Sequence, residues 1–302
     1  MSTIEIIELI GEDRTATGAV PPARRSWAWL GLVPFFLFLF LFLILPAIGV
    51  INKGLHTSSG TLSIKPMTDV ISKERGAFRN SLLISVVTAA VGAVLGTALA
   101  YAAATAKRPK WLRSLVTSFT GVAANMGGVV LAFAFISLIG RQGLGTKILK
   151  TIGFDLYGGS FKLASPAGFS TVYLYFQIPL MVLVTLPAVD GLKQAWREAS
   201  SSLGGSSFTY WRRVGLPVLA PSMLGGFLLL FANSFSAFAT AYAIGSGSAN
   251  FVPTKISFYL QGDNTSGKSP APYALSAWMI LIIAVSMGGY LLLRKRAERW
   301  RS

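Results

Sequence analysis

The chain of 302 residues contains no cysteine and a single histidine, His56. The absence of cysteine excludes a disulfide framework, a thiol nucleophile and a thiolate metal site, and one imidazole leaves little for metal binding or proton transfer. Charged residues make up only 13% of the chain, against roughly 25% in an average soluble domain. These absences exclude an ordinary soluble globular protein and argue against most enzyme classes.

The sequence is instead rich in long apolar runs and in positive charge. Apolar residues account for 53% of the chain, and 27 Lys and Arg against 11 Asp and Glu give a net charge of +16. The basic residues form short clusters between long uncharged runs and not one patch. The charge pattern therefore indicates membrane topology and not nucleic-acid binding.

Six of the uncharged runs exceed the roughly 20 residues that a helix needs to cross about 30 Å of hydrocarbon. They predict an all-α integral membrane protein with six transmembrane helices at 28–51, 79–106, 115–139, 167–189, 215–244 and 272–293. The first run is longer than the apolar region of a cleaved signal peptide and lacks a small-residue cleavage pattern after it, so it is retained as a helix.

Basic clusters predict the orientation of these helices. KRPKWLR between helices two and three and RKRAERWR after helix six are typical of cytoplasmic segments, and they place both termini inside. Residues 1–25 are predicted to form a flexible cytoplasmic tail, and residues 26–78 the first helix and an outer loop.

The cytoplasmic segment between helices four and five is the most informative part of the chain. Residues 195–203 can form a short amphipathic helix, and the pair Gly204 and Gly205 can end it in a left-handed turn. Ser206 or Ser207 can then cap a second helix that leads toward helix five.

Within this segment, seven residues stand at fixed spacing: Glu198, Ala199, Ser200, Gly204, Val214, Leu216 and Pro217. The pattern resembles the EAA loop (EAA-x3-G-x9-I-x-LP) of permease subunits of binding-protein-dependent ABC importers. Ser200 replaces the second alanine and Val214 the isoleucine. The resemblance extends from about residue 80 to 293, and segments such as YFQIPLMVLVTLPAVDGL are most similar to the spermidine/putrescine branch. Ferric iron, thiamine and aminoethylphosphonate permeases are similar in pattern.

The resemblance implies a type I ABC importer permease core in residues 79–302, with 190–214 as the coupling loop that docks on an ATPase subunit. It implies a non-catalytic chain in the cell (inner) membrane that holds no cofactor, because partner ATPase subunits bind ATP and Mg. The other implied partners are a second permease, with a heterodimer favoured over a homodimer, and an extracytoplasmic binding protein. Polyamine is the implied solute. The alternative for the loop is an amphipathic helix that only lies on lipid.

Polar side chains inside the predicted helices are candidates for the translocation path: Gln177, Asn233, Ser234 and Ser236. Hydrogen bonding between helices explains such residues equally well. No Asp or Glu lies within a predicted helix, and no discontinuous helix is evident from the sequence. A self-contained secondary carrier, which would be expected to show such features, is therefore the weaker alternative. The small residues of helix two, from Ala89 to Ala100, predict a close packing surface.

Overall fold

The computed structural model of the chain describes residues 32–105, 111–159, 161–262 and 269–299. These residues are almost entirely helical and form no β-strand, apart from one isolated bridge between His56 and Leu62. Among them, 6 helical segments are long and apolar enough to cross a membrane. The predicted all-α fold with six transmembrane helices is therefore confirmed. The predicted tail, residues 1–25, lies outside the described residues.

In chain order the helices are α1 (Val33–Gly54), α2 (Lys65–Lys73), α3 (Arg75–Thr105), α4 (Trp111–Asn125), α5 (Gly128–Ile139), α6 (Leu144–Thr151), α7 (Pro166–Asp190), α8 (Gln194–Ser202), α9 (Ser207–Phe235), α10 (Phe238–Ile244), α11 (Val252–Gly262) and α12 (Ala271–Arg299). Helices α1 and α9 each contain a π turn, at Phe40–Ile44 and Trp211–Gly215. The chain divides into two compact units, Met1–Ile48 and Gly49–Ser302. In the first unit, the described part of α1 buries no side chain.

The predicted third helix, 115–139, is broken in the structure. It divides at Met126 and Gly127 into α4, of 15 residues, and α5, of 12 residues. Gly128 has a φ of +70°, a left-handed conformation that L side chains rarely adopt. A hydropathy pattern does not detect this break, because glycine is counted as neutral and the flanking residues are apolar.

The predicted fifth helix, 215–244, is also broken, at Ser236 and Ala237 between α9 and α10. Each break leaves backbone groups that a membrane cannot hydrate, so side chains from other helices must satisfy them. The Thr240 hydroxyl donates to the Gly128 carbonyl at 3.1 Å, and the Tyr173 hydroxyl donates to the Ala237 carbonyl at 3.1 Å. The sequence-based expectation that no helix is discontinuous was therefore wrong.

Small residues on α3 form the centre of the bundle, where α3 packs against α7 and α9. The buried members of the predicted packing surface share one face of α3: Ala89, Gly92, Ala93, Gly96 and Ala100. Ala90 and Ala98 lie on the opposite, exposed face. The predicted packing surface is confirmed for the buried positions, and it brings the backbones of three helices close together.

Loops predicted on the same side of the membrane meet at the same end of the second unit. At one end the Asn80 amide donates to the carbonyl of Asn250 at 3.2 Å, and the Trp278 indole donates to the carbonyl of Met67 at 3.0 Å. At the other end Arg113 pairs with Asp190 at 2.7 Å. The first end carries α2 and α11, and the second carries α8.

Candidate functional site

The coupling segment begins with α8, Gln194–Ser202, which stands clear of the transmembrane helices. None of its residues is buried, and the carboxylate of Glu198 is exposed, where its Oε1 accepts a hydrogen bond of 2.7 Å from Nε2 of Gln194. The predicted short helix over 195–203 is confirmed to within one residue at each end. Ala199 and Ser200 lie in the same helix.

A two-glycine turn ends this helix. Gly204 has a φ of +74°, so a residue with a side chain would be strained there. At Gly205 a Cβ atom would lie 2.7 Å from the Ser200 hydroxyl and 2.8 Å from its carbonyl oxygen. The Ser206 hydroxyl then accepts a 3.3 Å hydrogen bond from the Thr209 N–H. The predicted left-handed turn and the predicted cap at Ser206 are confirmed.

The segment continues into α9 without a gap, whereas the sequence suggested a separate helix before helix five. The join is the π turn Trp211–Gly215, in which the N–H of Leu216 donates to the Trp211 carbonyl. Pro217 follows directly, and a proline lacks an N–H and crowds the carbonyl four residues earlier in a regular helix. The π turn therefore lies at the position where Pro217 would disturb a regular α-helix. Val214 is half-buried, and Leu216 and Pro217 are exposed.

Large apolar side chains flank Glu198 on this segment. Leu203 is 89% exposed, Phe208 73% and Trp196 37%. We call Trp196, Glu198, Leu203 and Phe208 the coupling surface. Apolar side chains exposed in this density on a loop outside the predicted spans are typical of a surface that another molecule covers.

Gln177 lies at the centre of the bundle and is fully buried. Its Nε2 donates to the Thr88 hydroxyl at 3.0 Å, and that hydroxyl lies 3.3 Å from the hydroxyl of Ser234. These contacts join α7, α3 and α9, so they favour the alternative in which Gln177 and Ser234 hold helices together. Because Gln177 is buried among helices of this chain, it does not lie on a surface that a second subunit could cover. Sequence analysis missed Thr88 because a threonine among alanines gives no distinct signal.

Asn233 is exposed within its membrane span, and its carbonyl accepts a 3.1 Å hydrogen bond from the half-buried Ser236. Asn125, which the sequence analysis did not single out, is also exposed at the last turn of α4, where its Nδ2 donates to the carbonyl of Gly121 at 2.9 Å. Each amide comes shortly before a helix break. The sequence Met126-Gly127-Gly128, which follows Asn125 directly, was the signal that could have identified this residue.

A cavity of about 530 Å³ opens at the end of the molecule opposite α8. Lys65, Asp69 and Lys73 of α2 line it together with Tyr259 of α11. The Tyr259 hydroxyl donates to Glu74 Oε1 at 2.6 Å, and this hydrogen bond, together with burial and the carboxylate charge, raises the pKa of Tyr259 to about 12. The hydrogen bond ties α11 to Glu74, the residue between α2 and α3.

The described residues contain no group of three or more His, Asp or Glu side chains that could hold a metal ion. His56, the single histidine, lies just after α1 and places its Nδ1 2.7 Å from the carbonyl oxygen of Asn52 in the last turns of α1. The polar features of the structure are thus a protruding loop, exposed amides at helix breaks and a cavity with lysines.

Comparison with known proteins matches residues 96–299 to the family described as binding-protein-dependent transport system inner membrane component. The molybdenum transport system permease protein ModB of Mycobacterium tuberculosis is 29% identical over 220 residues, which cover 70% of this chain and 78% of ModB. The thiamine transport system permease protein ThiP of Haemophilus influenzae is 26% identical over 171 residues, 57% of this chain and 30% of ThiP.

The fold is also similar to a solved structure. A bacterial alginate ABC transporter in complex with a periplasmic protein bound to an alginate pentasaccharide aligns with a TM-score of 0.65 at 17% identity, over 91% of this chain and 98% of the solved chain. The predicted type I importer permease core is thereby confirmed as the fold. With the family match over residues 96–299, the chain belongs to the binding-protein-dependent transport system inner membrane components, the permease subunits of ABC importers.

Proposed function

We propose that this chain forms one half of the translocation pathway of an ABC importer, and that the coupling surface is where an ATPase subunit docks. The observation that carries the proposal is the exposure of α8 and its flanking apolar residues beyond the transmembrane bundle. A carboxylate on a short helix can accept a charge-assisted hydrogen bond from a partner arginine. Glu198 would have that role, and ATP and Mg would bind to the partner.

Attachment to lipid is the competing use of α8, and its composition argues against it. A helix that lies on a membrane needs a continuous apolar face. In α8, whose sequence is QAWREASSS, Trp196 is the single bulky apolar residue, and the other apolar members of the coupling surface lie outside the helix. A protein groove that receives both the helix and Leu203 suits this arrangement better than a flat lipid surface.

The polar groups that reach the surface of the spans support a pathway shared with a second permease. Exposed amides within hydrocarbon need a partner or water, and Asn125 and Asn233 are both exposed. We assign Asn125, Asn233 and Ser236 to the pathway and Gln177 and Ser234 to helix packing. A homologous but non-identical permease would complete the pathway, in the cell (inner) membrane with both termini cytoplasmic.

The solute would arrive on an extracytoplasmic binding protein that docks at the end opposite α8, where the lysine-lined cavity opens. The pathway residues named above are amides and a hydroxyl, which can donate to anions and accept from cations. Selection therefore falls to the binding protein. Polyamine remains the prediction from sequence resemblance, and thiamine, one of the sequence-based alternatives, is the solute in the name of the relative ThiP.

The test is reversal of the charge at Glu198. In Glu198→Lys the spans keep their contacts, because the side chain is exposed, so the chain should insert normally. We expect the ATPase subunits to be lost from the purified complex, or substrate-stimulated ATP hydrolysis and uptake to be abolished. Native mass spectrometry of the same preparation gives the subunit composition, for which we expect one copy of this chain, one of a second permease and two ATPase subunits.

The matched control is Asp155→Lys, which reverses another exposed carboxylate, one in the loop after α6 whose Oδ1 accepts a local hydrogen bond of 3.0 Å from the Tyr157 N–H. It should keep the ATPase subunits and the stimulated hydrolysis. Normal uptake by the Glu198→Lys variant would remove Glu198 from the coupling mechanism. Two copies of this chain in the native complex would contradict the heterodimer.

A further inference from the structure

On the C-terminal side of α8, a few side chains connect the segment to the transmembrane bundle. Residues 194–209 bury none of their side chains. Tyr210, Trp211 and Gly215 are the positions at which the chain first enters the bundle, as Tyr210 and Gly215 are buried and Trp211 is half-buried. This short region is one of two routes from α8 into the bundle; the other is the link from α7 through residues 191–193, where Leu192 packs against the bundle.

Trp211 makes the contact that reaches another transmembrane helix. Its ring meets Tyr101 of α3 edge to face, with 4.8 Å between the ring centroids. It also packs with the cluster formed by α3, α7 and α9, which includes Ala100, Val189 and Leu219. An aromatic pair of this geometry is a directional contact that adds to burial of the rings.

Gly215 provides the space that the indole ring occupies. A Cβ atom at this position would lie 2.5 Å from Trp211 Cε3 and 2.9 Å from Cζ3. The two residues are the first and last of the π turn, so the turn folds the ring over the glycine. π turns inside α-helices frequently occur at functional positions.

From this geometry we propose that Trp211 is the positioning residue that holds the coupling surface to α3, and that Gly215 is required because it seats the indole ring. The proposal rests on the proposed function, since it supposes that an ATPase subunit moves α8. Movement of α8 then displaces Trp211, and the ring carries α3 with it through Tyr101. Leu216 and Pro217 continue the same helix, so α9 moves as well.

The experiment is a pair of substitutions that create and then relieve a clash. Gly215→Ala places a methyl group in the space of the indole ring, and Trp211→Phe shortens the ring so that the methyl group fits. We expect Gly215→Ala to keep its ATPase subunits but to lose stimulation of ATP hydrolysis by the loaded binding protein by about tenfold, since overpacking by one methyl group shifts a two-state equilibrium by that order. The double variant should recover most of the stimulation.

Gly121→Ala is the matched control, because it adds the same methyl group to a helical glycine with no atom within 4 Å. It should behave as the natural chain. If Gly215→Ala fails to assemble, Trp211→Leu replaces it: this variant adds no volume and removes the ring contact with Tyr101, so it should assemble and lose stimulation. The proposal would be overturned if the assembled variants showed the same stimulation of ATP hydrolysis as Gly121→Ala. It would also be overturned if the double variant showed no more stimulation than Gly215→Ala. The Glu198→Lys variant tests separately whether the ATPase subunit docks at the coupling surface.

Discussion

Methionine 181 shows how closely the three central helices approach at the scale of single residues. Its side chain is fully buried between Gly96 of α3 and Gly226 of α9. A Cβ atom on Gly226 would lie 2.5 Å from the Met181 sulfur, and one on Gly96 would meet Met181 Cβ and, at 2.8 Å, the carbonyl oxygen of Ile178. Backbone atoms cannot move aside as a flexible side chain does, so Gly96 is the stricter of the two positions.

We therefore expect Gly96→Ala to destabilise the protein by about 1–3 kcal/mol, the usual cost of overpacking a core. The measurement is the thermal midpoint of the detergent-solubilised chain, followed by size-exclusion chromatography after heating. Gly121→Ala again serves as the control and should melt as the natural chain does. A Gly96→Ala variant with an unchanged midpoint would show that the helices separate at little cost.

Much of the site at this scale was predictable from the sequence, and the exceptions have a common cause. Glu198, Gly204 and Pro217 stand at fixed spacing along one segment, so local pattern identifies them. Thr88 and Asn125 depend on which helix faces they share with distant residues, and spacing carries no such information. The contact between Trp211 and Gly215 could not be predicted for the same reason. A tryptophan and a glycine four residues apart are common in a helix, and only the π turn brings the ring over the glycine.

Helix continuity is the property in which the elements differ most from a sequence-based expectation. The number of spans was predictable, because each needs a long apolar run, but the third span lies at Gly128–Thr151 and not at the predicted 115–139. The breaks between α4 and α5 and between α9 and α10 were not predictable, since they depend on hydroxyl groups of Thr240 and Tyr173 that lie far away in the sequence. The spacing of apolar residues within one apolar run does not reveal such distant hydrogen-bond partners.

The break between α4 and α5 supplies a prediction with an internal control. Gly128 has a φ of +70°, so Gly128→Ala should cost about 1–2 kcal/mol of stability or straighten the helix and reduce uptake. Gly127 has an extended φ of −132° and no atom within 4 Å of an added Cβ, so Gly127→Ala should be tolerated. Thermal midpoint and solute uptake measured on both variants make the comparison. Equal behaviour of the two alanine variants would mean that the left-handed residue is not needed.

On the scale of the whole molecule, the orientation in the membrane can be tested directly because the chain contains no cysteine. Ser58 lies exposed in the loop between α1 and α2, which is predicted to be outside, and Ser202 lies exposed at the end of α8. We expect a cysteine at Ser58 to react with an impermeant thiol reagent in intact cells, and one at Ser202 to react only after the membrane is permeabilised. The reverse pattern would place the coupling surface where no cytoplasmic ATPase could reach it.

The exposed coupling surface also bears on how much of the protein a cell retains. If the coupling surface docks on an ATPase subunit as proposed, a chain without that partner presents Leu203 and Phe208 to water. Exposed apolar segments of this kind are what chaperones and proteases engage. We expect copies made in excess of the ATPase to be degraded, and copies that find it to be protected. Turnover of unassembled chains, and not matched rates of synthesis, would then set the ratio of the two subunits in the membrane.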